Sequence, residues 1–144
     1  MDRSGQWWRG DSPTDLGEYL RGYSADGYPV ERIVHVVCQA CGGTSLGLVI
    51  DDVEGYAERA CRACDERTVM LDSADAAAEA DAGEAACPCG GEVFNLAIGY
   101  AFFAGEDEVR WVYVSARCLV DGTLGVYTDL KIDYSPSMHL LNRA

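Results

Sequence analysis

The chain has 144 residues, 49% of them hydrophobic, enough for one compact domain or for two very small units that share a core. Its formal net charge of −13 sets 24 acidic residues against 11 basic ones. That balance disfavours nucleic acid, whose binding rests on Lys and Arg neutralising phosphates, and it suits a basic protein partner, although acidity also simply keeps a protein in solution. All but one of the basic residues are Arg, Lys131 being the exception, a usage that points to a GC-rich, bacterial genome. The first residues lack the apolar stretch of a signal peptide, and no run approaches the roughly 18 apolar residues of a membrane span. The expectation is a cytoplasmic protein with reduced cysteines and no membrane partner.

Residues 1–29 read as an N-terminal helical segment. Ser12 followed by Pro13 makes an N-cap and a first-turn proline, and Asp15 and Glu18 suit the positive end of the helix dipole. Leu16, Tyr19, Leu20 and Tyr23 recur at i, i+3, i+4 and i+7 and form one apolar stripe, for which a sheet face further along is the natural cover. Gly22 and the run from Ser24 to Pro29 end the helix. Trp7 and Trp8 either join that packing or anchor a partner, burial being the commoner fate of Trp. Residues 30–37 are mostly β-branched and predict a strand.

Two Cys-x-x-Cys pairs follow, Cys38 with Cys41 and Cys61 with Cys64, a short hairpin's length apart. They supply four thiolates, the set that closes a tetrahedral structural zinc ion. Gly42-Gly43 lets the first turn tighten so that backbone amides can point at the sulfurs. Disulfides compete with this reading, but seven cysteines cannot all pair. A thioredoxin-like redox pair would open a helix, whereas here Gly-Gly and a strand-like run follow. His35 reads as a packed neighbour rather than a further ligand. Between the pairs, Leu46, Leu48 and Ile50 alternate with smaller residues, 51–55 turn the chain and 56–60 bring it back, which predicts a hairpin. Residues 67–71 give a third strand. Residues 72–86, mostly Ala, Asp and Glu, read as a solvated acidic linker with no apolar face to dock.

The second half repeats the first. Cys41-Gly-Gly-Thr-Ser-Leu-Gly-Leu-Val-Ile aligns without gaps on Cys89-Gly-Gly-Glu-Val-Phe-Asn-Leu-Ala-Ile, and Cys61 and Cys64 answer to Cys118 and Asp121. The first pair is contracted to Cys87-Pro-Cys89. The second ligand set is therefore Cys87, Cys89, Cys118 and Asp121, a weaker site because a carboxylate is a harder ligand than a thiolate. Two alternatives stay open: three thiolates completed by His139, His35 or water, and no metal, with Asp121-Gly122 then a plain turn. The second hairpin is the longer. Phe94, Leu96, Ile98, Tyr100 and Phe102 share one face of its first strand, and the return strand, carrying Trp111 and Tyr113 alternately with Val112 and Val114, is apolar on both faces. Such a strand is expected to be buried against the helix and the first unit. The alternative is a hot spot of Phe102, Phe103 and Trp111 rimmed by Glu106, Asp107 and Glu108. From Val126 a strand runs to about residue 133, breaks at 134–136, and leaves Met138, Leu140 and Leu141 to tuck onto the core.

The order of knuckle, hairpin, knuckle and strand over residues 36–71 resembles the zinc-ribbon family and, more loosely, the rubredoxins; a degenerate copy covers 87–131. The resemblance implies a mainly β fold of two tandem zinc ribbons, 30–71 and 87–144, each an antiparallel hairpin plus a third strand, with the α-helix packed on them and two zinc ions bound. No catalytic residues are expected, since the chain has two histidines, no His-Glu-x-x-His, no nucleophile beside a base and no phosphate-cradling Gly-rich loop. The expected function is a non-enzymatic, zinc-binding protein–protein interaction module, in one version an acidic inhibitor or immunity-type protein for a basic partner. Rubredoxin-like electron transfer and a transcription-associated ribbon are the alternatives.

Overall fold

The computed structural model describes residues 7–25, 27–51, 56–71, 83–103, 108–132, 137–142 and 144. The expected turn at 52–55, the linker over 72–82, the rim residues Glu106 and Asp107 and the break at 134–136 lie outside the described residues.

The fold is mainly β with one α-helix, α1 (Asp15–Ser24). Its strands are β1 (Arg32–His35), β2 (Leu46–Asp51), β3 (Tyr56–Cys61), β4 (Arg67–Val69), β5 (Gly83–Glu84), β6 (Phe94–Phe102), β7 (Val109–Cys118) and β8 (Leu124–Lys131). All belong to one antiparallel sheet in the order β4-β3-β2-β6-β7-β8, with β1 on β6 and β5 on β2. The two hairpins meet where Leu46 lies opposite Phe94. Beyond that point β6 is flanked by β1, whose Val34 lies opposite Ile98.

The alternation of the sequence sorts side chains onto two faces. Phe94, Leu96, Ile98 and Tyr100 of β6, and Val112, Val114 and Ala116 of β7, pack in one cluster with Leu46, Leu48 and Ala57 of the first hairpin. Leu140 closes this cluster, and its carbonyl accepts a hydrogen bond from Tyr100 Oη at 2.8 Å. On the other face Leu16 and Leu20 of α1 pack with Val30, Ala97, Tyr113 and Leu124. Full burial of each of these leucines contributes on the order of 1.5–3 kcal/mol. Gly99 makes the approach possible, because a Cβ there would stand 2.8 Å from Val30 and 3.3 Å from Leu20. The return strand β7 is thus covered on both faces. Phe102 and Trp111 are half-buried, Trp111 stacks on Tyr28 at 4.9 Å, and Phe103 is exposed. Glu108 is half-buried, and its Oε2 accepts from the amide and the hydroxyl of Ser137 at 2.9 and 2.7 Å.

Three local expectations need correction. The helix begins at Asp15 with Thr14 at the N-cap position and no side-chain capping bond. Ser12 and Pro13 instead form a tight preceding turn, their carbonyls accepting from the amides of Asp15 and Leu16 at 3.1 Å each. Gly22 lies inside the helix, where the Trp8 ring packs over it. The C-terminal end of the acidic segment is docked on β2, although Gly83 and Glu84 stay exposed. Gly83 and Glu84 pair with Ile50 and Val49, the amide of Ala85 donates to Leu48 O at 2.7 Å, and Ala85 is buried. An edge strand needs only main-chain groups to pair, so the lack of an apolar face did not prevent it.

Candidate metal centres

The sheet brings the eight candidate ligands together as two groups, Cys38, Cys41, Cys61 and Cys64, and Cys87, Cys89, Cys118 and Asp121. Within each group the ligand atoms all lie within 4.8 Å of one another. Cys38 and Cys61 are buried while Cys41 and Cys64 are exposed, and in the second group Cys87 and Cys118 are buried, Cys89 exposed and Asp121 half-buried. Each group therefore has two inner and two outer ligands at an end of its hairpin.

The backbone that presents them is nearly the same twice. The amide of Cys38 donates to Gly43 O at 2.9 Å and that of Cys87 to Gly91 O at 2.8 Å. On the returning side, Cys61 N donates to Glu66 O at 2.8 Å and Asp65 N to Cys61 O at 2.9 Å; their counterparts are Cys118 N to Thr123 O and Gly122 N to Cys118 O, both 2.9 Å. Leu46 lies opposite Cys61, and Phe94 lies opposite Cys118. Positive φ recurs at matching positions, Gly42 with Gly90 at +75° and +93°, and Asp65 with Gly122 at 63° and 78°. The second glycine of each Gly-Gly is needed for another reason: a Cβ on Gly43 would lie 3.2 Å from Cys41 Sγ, and one on Gly91 2.9 Å from Cys118 Sγ. The contraction to Cys87-Pro-Cys89 removes one residue from the turn, so Gly90 N reaches Cys87 O where Gly42 N reaches Cys38 O, at 2.8 and 2.7 Å.

The distances suit a tetrahedral ion. Ligands at the zinc–thiolate distance of about 2.3 Å place sulfurs roughly 3.8 Å apart, and a sulfur and a carboxylate oxygen roughly 3.6 Å apart. Cys38 to Cys64, Cys41 to Cys61 and Cys89 to Cys118 are each 3.6 Å, and Cys87 Sγ to Asp121 Oδ1 is 3.5 Å. A disulfide would require about 2.05 Å, and all seven cysteines are free.

Amides reach several of the sulfurs, which eases the charge on a thiolate cluster. Gly91 N donates to Cys89 Sγ and Val120 N to Cys118 Sγ, both at 3.4 Å. Amides of Cys64 and Ala63 bring the Cys61 thiol down to about 7. Burial pushes the Cys87 thiol up to about 12 against the pull of the Cys89 amide. Asp121 is held down to about 2, chiefly by the Thr123 amide, which donates to Oδ1 at 3.0 Å.

Neither histidine belongs to either group among the described residues. Residues outside the sequence-derived ligand sets also shape the second centre. Tyr127 lies close enough to it that burial, reinforced by the charges of Cys87, Cys118 and Asp121, pushes its phenol up to about 12. The segment around Gly10 is clamped beside it, with Gly10 N on Gly122 O at 2.8 Å, Leu124 N on Trp8 O at 2.7 Å and Arg117 Nε on Gly10 O at 2.8 Å. A Cβ on Gly122 would lie 2.7 Å from Gly10 O. No periodic pattern announces this clamp; the unexplained glycine at position 10 was its one trace in the sequence.

Among the described residues, no helix is long and apolar enough to cross a membrane. Comparison with protein-family models, with curated proteins and with solved structures finds no match to the chain.

Proposed function

We propose that the chain is a non-enzymatic zinc protein of two tandem ribbons, 30–71 and 87–144, whose metals organise a surface for binding another protein. Cys38, Cys41, Cys61 and Cys64 hold one structural zinc; Cys87, Cys89, Cys118 and Asp121 hold the other. Bound zinc offsets half the charge of its four ligands and ties the two ends of each hairpin together. The observation that carries the reading is the pair of four-ligand groups, each within 4.8 Å, built on matching knuckles. A net charge of −13 supports a basic partner, which such a field steers toward the surface.

Elemental analysis of the purified protein beside an Asp121→Ala variant tests the metal part. Two zinc ions falling to one is the expected result. One zinc in both proteins would leave a single ribbon, and iron in a coloured preparation would move the reading to rubredoxin-like electron transfer. Capture experiments test the partner part: binding of a basic protein weakened by salt is expected, and exclusively acidic or salt-insensitive partners would count against it.

A further inference from the structure

The first hairpin contains an inward-facing charge that neither metal centre uses. Ala57, Arg59 and Cys61 share the core-facing side of β3, and Arg59 is only 2% exposed. Its neighbours across the sheet are Leu48 on one side and Thr68 on the other. Nε donates to the main-chain oxygen of Ala144 at 3.1 Å. Among the described residues, Nη1 has no hydrogen-bond partner although it is buried. Buried guanidinium groups are ordinarily paired, because the interior does not replace the water they lose.

Arg59 also lines a cavity of about 430 Å³ beside the first cysteine knuckle. This volume falls within the range of small-molecule sites. The other walls are mixed: Val34, Val69 and Leu141 give an aliphatic side, and Thr68, His35 and Gln39 add polar groups. We propose that this cavity binds a small aliphatic carboxylate. One carboxylate oxygen engages the edge of the guanidinium that borders the cavity, the Thr68 hydroxyl offers a further donor, and the alkyl part lies against Val34, Val69 and Leu141. Phosphate fits less well: it brings more charge into a chain already at −13 and has no alkyl part to set against Val34, Val69 and Leu141.

The test is a heteronuclear NMR titration of the full, metal-loaded chain with 3-methylbutanoate, and separately with inorganic phosphate. Saturable shifts at the Arg59 side chain and at the amides of Thr68 and Val69 are expected with the carboxylate, and none with phosphate. Arg59→Met should weaken binding by roughly tenfold or more, with metal content unchanged. Val69→Trp supplies a second variant if Arg59→Met does not fold. Val69 is 39% exposed at the cavity's edge, so the larger ring can fill the cavity and block the ligand without entering the core. Absence of saturable shifts, phosphate binding as tightly as the carboxylate, or affinity unchanged by Val69→Trp would each overturn the proposal.

Discussion

The two cysteine centres have almost the same backbone and different surroundings. At the first, four thiolates stand at the end of a hairpin with strands of 6 residues each. At the second, an oxygen replaces one sulfur, the strands are 9 and 10 residues long, and α1 packs on the hairpin while the Gly10 segment closes over the knuckle. The weaker ligand set thus accompanies the stronger packing. On the proposed reading, a short hairpin with little core of its own would depend on its metal, whereas a long one buried on both faces can keep its shape through apolar contacts, which would leave its ligands freer to vary.

The largest expected effect separates the two by ligand removal. Cys61→Ser should release the first metal and unfold β2–β4 locally, a loss of several kcal/mol given the roughly 10–16 kcal/mol that structural zinc can supply. Cys118→Ser should release the second metal and leave β6–β8 protected. Hydrogen exchange read beside metal content checks both; equal loss of protection in the two hairpins would remove the contrast.

The matched positive-φ positions sharpen the comparison next. Gly122→Ala combines left-handed strain with a collision on Gly10 O and should cost about 2–4 kcal/mol. Asp65→Gly relieves the same backbone preference where a non-glycine now sits, and should be neutral or stabilising by up to about 1 kcal/mol. Denaturant midpoints give both values, and a Gly122→Ala protein as stable as the parent would refute the clamp.

Asp121→Cys converts the second ligand set into the first. It should strengthen metal retention against a chelator on the order of 10- to 100-fold, the scale on which changes around zinc sites act. Unchanged release kinetics would mean that Asp121 is no ligand.

The smallest effect concerns acid. Without metal, Asp121 has its carboxyl lowered from 3.8 to about 2 by the Thr123 amide. A lowered folded value adds stability that is complete above the unfolded value near 4 and is lost as pH falls toward 2. Asp121→Asn should flatten that part of the acid-unfolding curve of metal-free protein and leave neutral pH little changed. An identical slope in the variant would exclude the Thr123 contact as its source.

Much of this was legible locally. Ligand spacing, Gly-Gly dipeptides and alternating apolar residues are short-range signals, and they located both cysteine groups, both hairpins and the buried Leu16 and Leu20 of α1, whereas Tyr23, expected on the same stripe, is exposed. Arg59 also left a signal that was passed over, since it occupies an inward position between Ala57 and Cys61 where alternation calls for an apolar residue. The helix start was misplaced because a Ser-Pro pair suits a tight turn as well as a cap.

The sequence by itself determined which residues face inward and which could meet at a knuckle, because side-chain period and turn chemistry act over a few neighbouring residues. Only the tertiary structure decided that β1 pairs with β6, that Gly83 and Glu84 extend β2, that the halves join at Leu46 and Phe94, and that Gly10 closes on Gly122. Those pairings are made by main-chain N–H and C=O groups that every non-proline residue carries, so the choice of partner strand is set by which edge the packed core leaves open.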